Sequence, residues 1–269
     1  MNLRMVGAEL LKLRKRRALV AWSLVLAVGV VSVVFAILEI LHLNNPAHYG
    51  PPGGVGGLQG SIIGLSLAGS VAAILVGTSA GTGDVSSGVF RDLAATGRSR
   101  WALFAARVPG ALLFFLPIIT LGYIVIAACS VGLAGAPPHP MSPSDAAGFV
   151  APSLGLVALG YGWIVLVTGF ELVLALGLAS LIGSRATTIG VLLGWQFLAS
   201  PLIAQISLLG AARQALFSQA FDRLIPHALF TDQGSPLLIQ SVVVAVVVLL
   251  GWTALALGAG GWRTATRDA

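Results

Sequence analysis

Glu171 is the one acidic residue that lies well inside a long apolar stretch of this sequence. An ionised carboxylate at the centre of a bilayer costs about 3 kcal/mol on insertion scales, so its side chain should face protein or water rather than lipid. The sequence leaves two interpretations open. One is a residue of a translocation pathway or gate, and the other is a structural hydrogen bond to a Ser, Thr or Gln on a neighbouring span.

The motifs of nucleotide and hydrolase chemistry are incomplete. The glycine-rich stretch at residues 77–83 lacks the lysine of a phosphate-binding loop, so no ATP site of that class is predicted. Ser66 follows a Gly-Leu pair in an apolar stretch, as in membrane serine proteases, but all four histidines fall in other segments, away from its depth. The histidines also lack the spacing of metal ligands, and the single Cys129 excludes an internal disulfide. We therefore expect a non-catalytic chain without a metal or cofactor of its own.

Composition places the chain in a membrane. Hydrophobic residues make up 57% and charged residues 9%, with a mean hydropathy of +0.96, whereas soluble proteins average about 45–50% and about 25%. At about 20 residues per span, 269 residues fit six spans in a single domain, residues 1–269. A formal charge of +6 would favour nucleic acid in a soluble protein. Here the basic residues lie at span ends, so anionic membrane lipids are the expected partner and nucleic acid is not.

Six apolar stretches are predicted to cross the membrane as helices, which makes the fold class all-α. They are residues 18–41, 61–83, about 105–133, a stretch within 150–182, one that starts near 188 and is interrupted by Pro201, and 237–258. This topology places only Arg213 and Arg223, of the 15 basic residues, on one side of the membrane, and all the others on the opposite side. Because cytoplasmic loops are rich in Lys and Arg, both termini are predicted to be cytoplasmic.

Small residues recur every fourth position in the second predicted span, at Gly69, Ala73, Gly77 and Gly81. Such a smooth face favours close packing against another helix. A chain with 34 glycines also produces such runs by chance, and both interpretations stay open.

Two further segments are amphipathic without being apolar enough to span. Residues 1–17 place Leu3, Val6, Leu10 and Leu13 on one helical stripe before a basic cluster, which predicts an interfacial helix. Residues 203–236 are half apolar and half polar, which predicts re-entrant or interfacial helices on the outer face before the last span.

The connection between the second and third predicted spans is the longest charged interruption of the apolar sequence. Its charges are Asp84, Arg91, Asp92, Arg98, Arg100 and Arg107, and its apolar residues Val85, Val89, Phe90, Leu93 and Ala94 fall on one stripe. The pattern predicts a short amphipathic helix on the basic side of the membrane. From these residues alone, a docking element for a cytoplasmic protein and a loop held by lipid headgroups remain equal alternatives.

This connection resembles the first cytoplasmic loop of ABC-2 type permeases, the membrane subunits of ATP-binding-cassette transporters. The family pattern is an acid, Ser-Gly-Thr with a basic residue two positions on, Leu-Leu-Ala-Thr-Pro-x-Ser-Arg, and a basic residue opening the third span. The chain matches it with Asp84, Ser87-Gly88-Val89, Arg91, LAATG at 93–97, Ser99-Arg100 and Arg107. Val89 and Gly97 depart from the family's Thr and Pro. The stretch ELLK at 9–12 is similar to the family's N-terminal segment.

The resemblance implies the permease subunit of an exporter, multi-pass in a bacterial inner membrane. It further implies two separate ABC ATP-binding subunits, with ATP and Mg bound there, and a second permease copy or paralogue. The implied docking residues are Asp84, Gly88, Val89, Phe90, Arg91, Asp92, Leu93, Arg98 and Arg100. The N-terminal helix would be the family's elbow helix, the charged connection its coupling helix, and the second span, with Gly69, Ala73, Gly77 and Gly81, would line the pathway.

Two rival functions come from other classes. An ATP-independent secondary transporter or channel predicts several intramembrane acids or a broken-helix ion site near the midplane, and this sequence has one such acid. A membrane scaffold that transports nothing is the third interpretation.

Overall fold

The computed structural model describes residues 3–86, 99–140, 142–230, 238–239 and 241–266, and the described residues form helices and connections with no β-strand. The main helices are α1 (Leu3–Arg14), α2 (Arg17–Asn44), α3 (Gly54–Ser86), α4 (Arg100–Gly132), α5 (Leu154–Ile182), α6 (Arg185–Gln205), α7 (Phe217–Leu224) and α8 (Val242–Thr266). Two of them contain a π-helical turn, Val25–Gly29 in α2 and Trp195–Ala199 in α6. Short helical turns occupy Pro143–Ala146, Ala147–Phe149 and Ser207–Ala215.

Six of these helices, α2 to α6 and α8, are long and apolar enough to cross a membrane. The predicted all-α membrane fold with six spans is therefore confirmed at this level. Most spans reach further than the apolar stretches suggested; α8, for example, continues past residue 258 to Thr266. Helical backbone satisfies its own hydrogen bonds, so a span continues into polar sequence until a cap or a turn ends it.

Successive spans run in alternating directions and give the bundle two distinct ends. At the basic end, defined by Arg16, Arg100 and Arg185, the Arg100 guanidinium donates to the carbonyl of Ala265, with Nη1 3.3 Å from the oxygen. At the opposite end the connections pair through their backbones. The Gly53 N–H donates to the carbonyl of Leu133, at 3.2 Å.

Helix α5 is the centre of the bundle, and it is the most buried of the six spans, whereas α2, α6 and α8 are the least buried. It ends at Gly183, whose φ of 79° is a left-handed conformation that favours glycine. Ser184 then caps α6 by accepting from the Thr187 N–H at 3.4 Å. This two-residue turn confirms the prediction that the fourth and fifth spans are antiparallel neighbours.

The N-terminal helix α1 packs along the basic half of α4. Met5 and Val6 are buried there against Leu103 and Ala106. The predicted apolar stripe holds only in part: Leu13 is buried, but Leu3 is 84% exposed. The face of α1 that is buried is the one that contacts α4. The spacing of apolar residues within α1 does not identify α4 as its neighbour, so it could not predict which face is buried.

Two helices, α4 and α6, continue through prolines. Helix α4 includes both Pro109 and Pro117. Helix α6 does not stop at Pro201 but continues to Gln205, and the π-helical turn ends two residues before that proline. The prediction of an interruption at Pro201 is therefore corrected: the change in hydrogen bonding precedes the proline, and the helix continues past it.

Candidate functional site

The small-residue face of α3 packs tightly against α5. A Cβ added at Gly77 would meet the Leu172 carbonyl, and one at Gly81 would lie 2.6 Å from the Leu176 carbonyl. One at Gly69 would lie 2.9 Å from Ile119 and 3.0 Å from Thr168. The prediction of close packing is confirmed, and this contact is called the α3–α5 seam. Ala73, on the same face, is fully buried.

Glu171 lies on α5 one residue before Leu172 of the seam, with only 2% of its surface exposed. Among the described residues no hydrogen bond or ion pair reaches its carboxylate. The structural hydrogen bond left open by the sequence is thus not formed within this part of the chain. A buried polar group without a partner is costly, so its environment should supply something else.

The Glu171 side chain lines a cavity of about 160 Å³ between α3, α5, α6 and α7, here called the Glu171 cavity. Its polar lining also includes Ser66 from α3 and Ser200, Ser218 and Asp222 from the segments that follow α5. The Ser200 and Ser218 hydroxyls are hydrogen-bonded to each other at 2.7 Å and tie α6 to α7. Three helices, α3, α6 and α7, therefore bring polar side chains to a cavity that holds an acid from a fourth helix, α5.

An aromatic cluster also lines the cavity. Trp163 and Phe221 meet edge to face with their ring centroids 5.8 Å apart. Phe221 and Phe217, both on α7, also pack against Phe170 of α5, at 5.2 Å and 5.5 Å. Since Phe170 precedes Glu171 directly, α7 is held beside the acid rather than at the tip of the bundle.

The π-helical turn of α6 places Gln196 at the cavity. Its Oε1 atom is buried and has no hydrogen-bond partner among the described residues. The Nε1 atom of the neighbouring Trp195, in the same turn, is likewise buried without a partner in the described part of the chain. Single π-helical turns recur at functional sites because they turn side chains out of regular helical register.

Asp222 lies at the opening of the Glu171 cavity, where its side chain is exposed on one side. Desolvation by the apolar residues on its other side raises the pKa of the Asp222 carboxyl above its usual value. The residue belongs to α7, which lies outside the six spans.

The basic end holds a second group of sequence-predicted residues. Arg107 is buried, at 1% exposure, and its Nη1 donates to the Gly81 carbonyl at 3.2 Å. The Ser180 hydroxyl shares its hydrogen between the Leu176 carbonyl of its own helix, at 2.9 Å, and the Gly81 carbonyl, at 3.3 Å. Helices α3, α4 and α5 therefore meet at Gly81. Arg100, an implied docking residue, is the first residue of α4.

Most of the implied docking residues fall outside the described residues. These are Gly88, Val89, Phe90, Arg91, Asp92, Leu93 and Arg98. Asp84 belongs to the last turn of α3. The amphipathic coupling helix thus stays a prediction.

The sequence identified Glu171 but missed the residues that surround it. Gln196, Trp163, Phe217 and Phe221 look like ordinary apolar-span or interfacial residues when they are read along the chain. The one available signal was the mixed character of residues 203–236, which indicated a segment folded onto the bundle without indicating where.

No group of three His, Cys, Asp or Glu side chains within the described ranges is placed to hold a metal ion. Comparison with protein-family models, with curated proteins and with solved structures finds no match to this chain.

Proposed function

We propose that this chain is the permease subunit of an ATP-binding-cassette exporter and that separate ATPase subunits dock on residues 84–100. The support is the six-span bundle together with the motif resemblance of that connection. The chain itself contributes no nucleotide-binding motif, so the energy would come from ATP and Mg bound to two partner subunits.

One observation carries the proposal: α3 and α4, the spans that flank the motif, are fastened together at the basic end. The buried Arg107 guanidinium bonds to Gly81 within the last two turns of α3. A force applied to the intervening segment would therefore act on both spans. Because the α3–α5 seam leaves no room for even a methyl group at Gly77, α3 and α5 would then move as one body.

The finer features of the proposal have specific support. The contact of α1 with α4 beside the basic cluster suits an elbow helix at a membrane surface. The contact of α7 with Phe170, midway along α5, suits a re-entrant segment. The clustering of Arg and Lys at one end suits a cytoplasmic basic end in a bacterial inner membrane. The low burial of α2, α6 and α8 leaves surface for lipid and for a second permease copy.

The deciding experiment is purification of the tagged full chain together with a candidate cassette ATPase. The proposal expects a complex with two ATPase subunits for two permeases, and ATP hydrolysis that depends on the permease. A permease that elutes without the ATPase, under conditions where both are folded, would remove the assignment.

A secondary transporter is the second candidate, because the Glu171 cavity is a buried polar site of the kind that such proteins use. It predicts uptake or release in proteoliposomes that contain this chain alone and are driven by an imposed ion gradient. ATP-dependent transport that needs the partner subunit would decide for the first proposal.

A further inference from the structure

The Glu171 cavity combines an acid with oxygen acceptors and contains no basic lining residue among those described. Glu171 is 98% withdrawn from solvent and has no partner in the described chain. Withdrawing a carboxylate from water without a compensating contact is unfavourable. A cation seated beside Glu171 would provide that contact.

The other polar groups of the cavity also favour a positively charged ligand. The buried Oε1 of Gln196 is an acceptor to which no group in the described ranges donates. Asp222 at the opening adds a second carboxyl. Acceptors and carboxyl groups around one space select a donor-bearing or positively charged ligand and disfavour an anion.

The aromatic wall distinguishes between classes of cation. Trp163, Phe217 and Phe221 line the same cavity as these acceptors. Aromatic rings attract ammonium groups through their quadrupoles and serve widely in recognition of quaternary ammonium ions. A hard inorganic cation would instead need a nearly complete shell of oxygen ligands. The rings therefore favour an organic ammonium group over a metal ion.

The volume limits the size of the ligand. At about 160 Å³ the space is similar to the roughly 150 Å³ cavity that admits benzene in another protein. Glu171 lies roughly 16 Å from the basic end of α5, at about 1.5 Å rise per residue, which puts the site at the depth of the hydrocarbon core.

We propose that the Glu171 cavity is a binding site for a small organic ammonium ion, with Glu171 as the charge partner and Trp163 and Phe221 as the aromatic wall. Gln196 orients the polar part of the ligand, and Asp222 attracts it at the opening. This inference goes beyond the proposed function and does not depend on any ATPase.

The test compares choline with its neutral carbon isostere, 3,3-dimethyl-1-butanol. Both are titrated by calorimetry into the full-length chain in a maltoside detergent, which carries no choline headgroup. Choline should bind and the alcohol should bind at least about tenfold more weakly, because only choline carries the charge. Equal binding of the two would show an apolar pocket, and no binding of choline would remove the site altogether; either result overturns the proposal.

Three variants locate the site. Glu171→Gln keeps the side-chain shape and should weaken choline binding by about tenfold or more, while Glu39→Gln, which removes a carboxylate outside the cavity, should not. Phe221→Leu should weaken choline about threefold or more while sparing the alcohol. Unchanged choline binding by Glu171→Gln, or binding of sodium alone, would contradict the assignment. The assay uses neither the ATPase nor transport. A failure to bind choline would therefore not affect the permease proposal, and a failure to bind the ATPase would not affect the ammonium site.

Discussion

The Arg107 guanidinium donates a hydrogen bond to the Gly81 carbonyl, 3.2 Å away, across the junction of α4 and α3. The Ser180 hydroxyl reaches the same oxygen from α5. A single carbonyl thus links the most buried span to the two spans that flank the proposed docking segment. The link is made by a charged donor, and such hydrogen bonds are stronger than neutral ones.

Replacing Arg107 with Ala should therefore destabilise the bundle. It removes a buried charged donor and leaves a void next to Gly81, and the expected cost is about 2 kcal/mol or more. Thermal unfolding of the purified protein in detergent measures it. Arg263→Ala, at an exposed position on α8, is the matched control and should melt like the wild type. Equal melting temperatures for the two variants would mean that Arg107 does not hold these helices together.

The α3–α5 seam predicts a contrast between two glycines of the same helix. Gly77→Ala pushes a methyl group into the Leu172 carbonyl, and overpacking of this kind costs typically about 1–3 kcal/mol. A Cβ at Gly64 meets nothing within 4 Å, so Gly64→Ala should be neutral or slightly stabilising. Melting curves of both variants check the order. If Gly77→Ala were as stable as Gly64→Ala, contact with the Leu172 carbonyl would not set the distance between α3 and α5.

Asp222 predicts a pH dependence of stability. Because its pKa is raised in the folded protein, the folded state holds a proton that the unfolded chain has released above about pH 4. The contribution of Asp222 to the free energy of unfolding is fully present below the pKa of its carboxyl in the unfolded chain. It is lost as the pH rises through the pKa of the same carboxyl in the folded protein. Asp222→Asn has no carboxyl to ionise and therefore does not lose stability in this way. The difference in melting temperature, variant minus wild type, should be more positive at pH 7 than at pH 4.

Glu171, which lines the same cavity, is present in both proteins, so the difference between them isolates Asp222. Glu39→Gln controls for the loss of one carboxylate. A difference between Asp222→Asn and the wild type that does not change with pH would show that the apolar neighbours of Asp222 do not perturb it.

Orientation is tested by labelling introduced cysteines in intact cells, after the native Cys129 is replaced by Ala. His139, an exposed residue at the end opposite the basic end, is the outer position, and Thr266, exposed at the end of α8, is the inner one. A cysteine at His139 should react with an impermeant maleimide and one at Thr266 should not, since basic residues favour the cytoplasm. The opposite labelling would invert the topology and with it the docking proposal.

The sequence predicts those features of the fold that are set within a single apolar stretch. Six spans, the short turn at Gly183 and the packing face of Gly77 and Gly81 follow from length, capping and small-residue spacing. What it cannot predict depends on which elements become neighbours. Ser66 and Asp222 are far apart in the chain and line one cavity because α7 folds back against Phe170. The π-helical turn that places Gln196 there has no sequence signature, and Pro201 suggested a break instead.

The final prediction concerns Phe90, which lies outside the described residues and rests on the sequence. Phe90 and Leu93 are three residues apart on the predicted apolar stripe, with Arg91 and Asp92 on its flanks. A groove on an ATPase subunit would take the apolar pair as anchors and meet the charges at its rim.

Truncating an aromatic anchor costs about 2 kcal/mol or more, roughly thirtyfold in affinity, whereas a rim charge costs less. Phe90→Ala should therefore weaken ATPase binding and permease-dependent ATP hydrolysis more than its neighbour Arg91→Ala does. Both variants should reach the membrane in wild-type amounts, since neither alters a span. If Phe90→Ala retained full ATPase binding and coupled hydrolysis, the connection would be a loop at the lipid headgroups, and the permease proposal would lose the motif on which it rests.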